Sequence, residues 1–593
     1  MLKFITRLFT LIGVLVVVLI AAVVALAYYG ENHVEPEPAS VVLTIDFTRS
    51  IVEQNEPSPL NIALDDEPLA LLDILHAIDH AAADPHVKGL AARFGTEQPT
   101  LVQTQEIRAA LARFRASGKF TYAYGSDFGE FGMGNRAYFL ASAFENIWLQ
   151  PVGTVSLTGV ALQSPFAKTA LDKIGVVADF MQREEYKSFM EVGQRDAFSP
   201  PVKAEMQAMV ENLSAQIAEG IAASRKWDVD HVKDLMARGP YTDEEAKQEG
   251  LVTRLAYVDE LDEELERKAG KDAKQVDVGT YLGYADGKDA PKEPTTIALI
   301  YGTGLIMDKN VDGGGLAGEH VMGANDIAGA FNDAAEDEDV KAILFRIDSP
   351  GGSPAASETI RRAMIHAQKK GKPVIVSMGE TAASGGYWIA MNGDKIIADP
   401  ATLTGSIGVV AGKFAADGLL QKVGLSVDGV ATTPNAGMWN MTAPFTPAQR
   451  ARVNALLDNT YHAFVGNVAA ARKIPLEKMP DIAKGRVWTG EQAVKIGLVD
   501  ELGGYDVALS AVRKALKLED KDRLSLENFP SPPTPAERLL KLMRRMGAES
   551  AMLFSPSATL EKARVVLGPW LKLASFANHP VAARMYPLED VHD

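Results

Sequence analysis

The chain repeats itself at long range, and that limits the fold more than any other feature of the sequence. DILHAIDHAAADPHVKGLAARF (73–94) aligns with DIAGAFNDAAEDEDVKAILFRI (326–347). NRAYFLASAFENIWLQP (135–151) aligns with SGGYWIAMNGDKIIADP (384–400), and YTDEEAKQEGLV (241–252) with WTGEQAVKIGLV (488–499). The offset is about 250 residues each time, so one unit occurs twice, over 41–265 and 296–515. A Lys/Asp/Gly-rich linker over 266–295 joins them, and an extension follows over 516–593. Within each copy, short apolar runs alternate with amphipathic stretches. In the second copy these are IALIYG, a helix from Asp326, AILFRID, a helix from Ser357, PVIVSMG and a helix from Ser384. This alternation predicts an α/β fold with a mostly parallel sheet in each copy.

At 593 residues and 47% hydrophobic content, the chain can bury a substantial core in each unit. The net charge of -17 argues against a nucleic-acid partner, which would need a basic face. With no cysteine, the chain has no disulfide, no thiolate metal site and no cysteine nucleophile. At the N-terminus, Lys3 and Arg7 precede an uncharged apolar run from Leu8 to Tyr29, long enough to span a bilayer. The basic residues favour a cytoplasmic start, which places everything after Gly30 outside the cytoplasm. A cleaved signal peptide is the alternative, because Ala25-Leu26-Ala27 matches a cleavage site. The run exceeds the usual signal core, so residues 1–30 are read as a retained transmembrane anchor. Near the other end, SPPTP (531–535) leads into the basic amphipathic stretch ERLLKLMRRM (537–546), read as a packed helix.

Two segments of the second copy carry chemistry. In IDSPGGSP (347–354), adjacent glycines end a buried strand. They make either a tight turn or a place where backbone amides approach a developing negative charge. In PVIVSMGETAASGGYWIA (373–390), Ser384 opens an apolar helix, where it is either an N-cap or a nucleophile beside the Gly385 amide. A nucleophilic serine needs a base. None of the ten histidines lies in these motifs.

Taken together, DSPGG, ASGGYW and TGSIGV (404–409), in this order after an anchor and across tandem units, resemble the signal peptide peptidase A family. The resemblance covers nearly the whole chain. It implies two domains of the ββα-superhelix type shared with Clp protease and crotonases, and a serine endopeptidase that degrades cleaved signal peptides. It assigns Ser384 as nucleophile. Its lysine base comes from a Tyr-Lys-Ser element of the first copy, here REEYKSFMEVGQRDAFSP (183–200), giving Lys187. Taken alone, a lysine is ordinarily a solvated surface group. As a base it must be neutral when it acts, which requires desolvation. The family's lysine-orienting serine falls at Ser406. The oxyanion amides fall at Gly352 and Gly385, with Gly351 as an alternative to Gly352. The resemblance further implies a bowl-like homotetramer with apolar substrate pockets, on the periplasmic side of a bacterial inner membrane.

The repeat gives separate support. Asn135 stands at the Ser384 position of the first copy, and GTEQP (95–99) replaces the glycine pair. The Lys187 position falls at about Ala436 in the second copy, where TTPNAGMWN has no lysine. Each copy lacks what the other carries. Two rival readings are a crotonase-type acyl-CoA enzyme and an inactive membrane scaffold. GGGLAG (313–318) lacks the tight strand-turn-helix context of a dinucleotide site and reads as a Gly-rich loop. VVAGKF (409–414) lacks phosphate-loop spacing, and the sequence has neither HExxH nor a carboxylate cluster at EF-hand spacing, so neither nucleotide, metal nor other cofactor is expected.

Overall fold

The computed structural model describes residues 38–54, 68–95, 98–130, 132, 134–289, 294–309, 321–519 and 522–531. The anchor segment, the glycine-rich loop at 313–318 and the amphipathic stretch at 537–546 lie outside these residues.

Each copy folds around its own sheet. The first copy supplies strands β1 (Val41–Asp46), β2 (Val87–Phe94), β3 (Phe120–Gly125), β4 (Asn146–Leu149), β5 (Val177–Gln182), β6 (Arg254–Leu255) and β7 (Lys274–Asp277). Six of these form a parallel sheet in the order β6-β4-β3-β2-β1-β7. The second copy supplies β8 (Thr295–Thr303), β9 (Val340–Ser349), β10 (Val374–Ala383), β11 (Lys395–Ala398), β12 (Leu403–Gly405), β13 (Val410–Ala415), β14 (Val487–Thr489), β15 (Glu501–Leu502) and β16 (Leu524–Phe529). Its sheet runs β14-β12-β10-β9-β8-β16, with β11 between β10 and β15. Only β14 runs antiparallel to its neighbour. The central strands are buried almost throughout, as β9 and β10 show, because helices cover both faces.

The helices repeat as well. In the first copy, α1 (Leu71–Ala83), α2 (Leu101–Ala116), α3 (Asn135–Ala141) and α4 (Pro200–Arg225) follow the strands in order. Their counterparts are α5 (Ala324–Glu336), α6 (Pro354–Lys369), α7 (Gly385–Ala390) and α8 (Pro447–Arg472), followed by α9 (Tyr505–Leu516). Local sequence sets these starts. Thr100 and Gln103 close a capping box on α2, and Thr446 and Gln449 do so on α8. Ser353 caps α6, with Pro354 in its first turn.

The span 266–295, read from composition as a linker, carries β7, an edge strand of the first sheet, and then a helix over Val278–Asp289. The second sheet likewise takes its edge strand β16 from beyond residue 515. Both edges escape a compositional reading because an edge strand is half solvated and needs no continuous apolar run.

The two units are packed into one body. One core cluster joins first-copy residues such as Ile74, Phe114 and Ile217 to second-copy residues Leu344, Leu403, Tyr505 and Val512. β5 leaves its own copy and pairs antiparallel with β13 of the other, Gln182 opposite Val410 and Val177 opposite Ala415. A buried ion network also crosses the junction. The Arg346 guanidinium donates to Glu53 at 2.8 and 3.0 Å and to Glu106 at 2.7 Å, and it lies 4.4 Å from the Tyr505 ring centroid. A fully buried guanidinium is tolerable only with such pairing.

Candidate active site

Two neighbouring parallel strands, β9 and β10, end beside each other and deliver the two motifs to one place. After β9 the chain turns through Gly351 and Gly352. A backbone φ of +155° at Gly352 is one that residues with a Cβ avoid, and a Cβ there would lie 2.1 Å from the Ile306 carbonyl oxygen. After β10 the chain turns at Ser384 into α7. A Cβ on Gly385 would come within 2.8 Å of Ser357 Oγ and 2.9 Å of the Gly352 nitrogen. Only glycine lets the two turns close this tightly. The amide of Gly351 donates to Ser349 Oγ at 3.2 Å, whereas the Gly352 nitrogen lies beside Gly385, 2.9 Å from where a Cβ on that residue would sit. The Gly385 N–H lies in the first turn of α7, where no intrahelical acceptor exists. Of the two glycine candidates, Gly352 therefore has the amide positioned beside Gly385.

Ser384 is fully buried and adopts φ +56°, ψ -115°, a strained conformation for any residue but glycine. Its N–H donates to the Gly405 carbonyl at 2.8 Å and its carbonyl accepts from Trp388 at 2.9 Å, which hold the turn. Ser384 does occupy the N-cap position of α7, but its side chain caps nothing. Instead Lys187 Nζ donates to Ser384 Oγ at 2.8 Å. The same nitrogen donates to Ser406 Oγ and to the Ser406 carbonyl, each at 2.9 Å. Lys187 is only 1% exposed, so it is not the solvated surface group that lysine usually is. Burial pushes its amine down to about 7, against a smaller upward pull from Glu205. The residues come from different copies: Lys187 follows β5 of the first, and Ser384 and Ser406 follow β10 and β12 of the second.

The matching place in the first copy is filled differently. Asn135 accepts hydrogen bonds from the amides of Thr158 and Gly159 and donates to the Gly159 carbonyl. Its amide ties down the loop that, in the second copy, carries Ser406.

Sequence reasoning missed several residues of this region. Ser349 donates to the Gly304 carbonyl at 2.6 Å and so braces the glycine turn. Gly485 lies against the Lys187 backbone, where a Cβ would come 2.5 Å from the nitrogen. Glu205 packs behind Val487. Ser349 sits inside the DSPGG motif and could have been found there. Glu205 lies in a long helix with no local pattern to mark it.

A hydroxyl hydrogen-bonded to a desolvated amine, beside two closely packed glycine turns, is the equipment of a serine hydrolase. The comparisons with known proteins agree. The profile of peptidase family S49 matches residues 113–272 and 366–519, one stretch in each copy. The chain belongs to peptidase family S49 and is a serine peptidase. It is 33% identical to Protease 4 of Salmonella typhi over 86% of this chain and 82% of that one. It is 32% identical to Protease 4 of Haemophilus influenzae over 76% and 73%, respectively. Against the chloroplastic serine protease SPPA of Arabidopsis thaliana the figures are 28%, 78% and 68%.

Proposed function

We propose that this peptidase hydrolyses peptide bonds with a Ser384–Lys187 dyad shared between its two copies, each copy folded as a ββα superhelix. The observation that carries this reading is the 2.8 Å contact between Lys187 Nζ and Ser384 Oγ, two buried residues from different copies. Neutral Lys187 takes the Ser384 proton as Oγ attacks the scissile carbonyl. The oxyanion of the tetrahedral intermediate accepts from the amides of Gly352 and Gly385. Lys187 then returns the proton to the leaving nitrogen, the C–N bond breaks, and an ester remains on Ser384. Water attacks that ester with Lys187 again taking a proton, which returns to Oγ as the acid departs. Ser406, accepting from the amine with both its oxygens, aims the lysine. No step calls for a cofactor.

The test uses the full chain in detergent on a leucine-rich peptide amide. Ser384→Ala and Lys187→Ala each lower kcat by about a thousandfold or more, whereas a surface variant such as Lys233→Ala leaves it unchanged. Near-normal turnover by Lys187→Ala sinks the dyad.

Cleaved signal peptides are the substrate class that fits a peptidase of this family tethered by Leu8–Tyr29 outside the cytoplasm. Among the described residues no helix is long and apolar enough to cross a membrane, so the tether rests on the sequence of 8–29. Faster cleavage of a synthetic signal peptide than of a polar peptide of equal length, and retention of the intact chain in washed membranes, are the expected results.

A homo-oligomer, read as a tetramer, has support in the repeat itself. β5 of the first copy is covered by β13 of the second. The counterpart of β5, about 426–431, has no strand partner among the described residues, and it exposes Val427 and Val430. The counterpart of β13, about 161–166, is also unpaired. Ala401 is buried against α2, its N–H donating to Gln105 at 3.0 Å, whereas its counterpart Val152 is 89% exposed. A second copy of the chain joined head to tail would reuse the internal junction at both places, a heterologous contact that forms a ring where its rotation closes. Sedimentation of wild type against Val427→Asp tests this: the variant is expected as monomer.

A further inference from the structure

The reaction scheme leaves one buried acid near the dyad unused. Glu205, on α4 of the first copy, is 4% exposed. Its Oε1 accepts the Val487 N–H at 2.6 Å, and its Oε2 is sealed from solvent with no hydrogen-bond partner. Val487 pairs with Gly405 across the β12–β14 ladder, and the next carbonyl back, that of Arg486, accepts the Ser406 N–H at 2.7 Å. On the other side of the same segment, the Gly485 amide donates to the Ile407 carbonyl, the Lys484 carbonyl accepts the Tyr186 N–H, and Gly485 rests on Lys187. Residues 484–487 are thus wedged between two first-copy residues, Lys187 and Glu205, and they hold the loop that carries Ser406.

The charge state follows from the surroundings. The charged groups that face Glu205 are Arg486 from the second copy and Lys187 from its own. Neither comes within ion-pairing distance of its carboxyl, which would be left as an anion with one oxygen bare, a costly state in an interior. Burial accordingly pushes the carboxyl up to about 8, with the Val487 amide, Arg486 and Lys187 pulling it back. A carboxylate here would also favour the ammonium form of Lys187, the form that cannot accept a proton. The repeat adds a contrast. α4 and α8 both open on Pro and run 26 residues, which puts Arg452 at the Glu205 position in the second copy, and Arg452 is exposed. The carboxyl occurs only in the copy that supplies Lys187.

We propose that Glu205 is a positioning residue for the base: as a buried, uncharged acid it anchors Val487, and through residues 484–487 and Ser406 it holds the Lys187 amine in place and closed to water. This rests on the dyad reading above. The experiment measures kcat, KM and the pH dependence of kcat/KM for the full chain with Glu205→Gln and Glu205→Ala, beside wild type and Lys187→Ala. Gln preserves an uncharged acceptor, so kcat/KM stays within about threefold and the acid limb keeps its pH. Ala removes the anchor and admits water to the amine. It is expected to lower kcat by about 10- to 100-fold with little change in KM, and to move the acid limb upward by about one pH unit. A merely structural role scales the rate equally at every pH and leaves the limb in place, and that result in Ala overturns the proposal. A Gln variant as impaired as Ala, with its limb displaced downward, also overturns it, because the residue then acts through charge. Should Ala fail to fold, the position of the limb in Gln decides. Retained activity in Lys187→Ala removes the dyad instead, a failure distinguishable from either Glu205 result.

Discussion

Replacing Lys187 by Met tests the burial argument without relying on turnover. In the folded protein the amine releases its proton near pH 7, against an ordinary lysine value of 10.5 in the unfolded chain. Below pH 7 both states are protonated, and the fold bears the full cost of a buried ammonium. Between pH 7 and 10.5 the unfolded chain holds a proton on this residue that the folded one has lost, so the contribution of Lys187 to wild-type stability rises with pH. The slope is about 1.4 kcal/mol per pH unit, which accumulates to about 4–5 kcal/mol across the window. Lys187→Met has no such proton. The lost hydrogen bonds to Ser384 and Ser406 shift its stability by an amount nearly independent of pH. The stability difference between the two proteins, followed by denaturant unfolding at half-unit steps from pH 6 to 10.5, isolates the linkage. Wild type should gain steadily on the variant above pH 7. A flat difference would mean that the amine titrates in the fold as it does in solution, and the argument that desolvation makes Lys187 a base would fall.

Three further outcomes follow from the same geometry. The acid limb of wild-type kcat/KM should lie near pH 7, where Lys187 becomes neutral, and a limb near pH 10 would contradict it. Ser384→Gly should abolish turnover yet raise the thermal midpoint, because a positive φ of 56° costs a serine about 1–3 kcal/mol that glycine avoids, less its own backbone entropy. Glu106→Ala leaves the buried Arg346 with Glu53 as its one carboxylate partner, and a loss of about 3–5 kcal/mol in denaturant unfolding is expected.

The site was legible in the sequence wherever backbone constraint left a mark. Adjacent glycines at 351–352 and 385–386 register a close approach of two chain turns, and the repeat exposed Asn135 as a replacement for Ser384. Lys187 could be read only through the family resemblance, since nothing local distinguishes a buried amine from a solvated one. Its burial depends on Gly485 and Ser406, both about 200 or more residues away in the chain. The buried acids were illegible for the same reason. Nothing in the local sequence marks Glu53 and Glu106 as buried, because their partner Arg346 lies in the other copy. The edge strand β7 was lost to a span read as linker and β16 to the extension after residue 515, because a strand paired on one side tolerates polar residues.

These residues also explain why the two copies are not free to drift apart. In a peptidase with both groups on one domain, the interface between domains could loosen with little chemical consequence. Here the hydroxyl and its hydrogen-bonded amine belong to different copies, so the 2.8 Å contact is only as precise as the docking of the two units. Apolar packing is poor at fixing such a register, because it is non-directional. The junction adds directional contacts at three levels. The β5–β13 ladder fixes the strand leading to Lys187. Glu205 and Val487 fix the loop that aims it. Arg346, three residues before Ser349 on β9, reaches across to Glu53 and Glu106 and so ties the strand that ends in the glycine turn to the first copy. A buried ion pair contributes little net stability over well-packed apolar side chains, and its advantage is that a wrong register leaves charges unpaired. An Arg346→Met, Glu53→Gln, Glu106→Gln triple variant should therefore keep much of its stability while losing kcat, as the two halves of the site come to rest slightly apart. Unchanged kcat in a folded triple variant would show that the strand ladder and the Glu205 contact suffice.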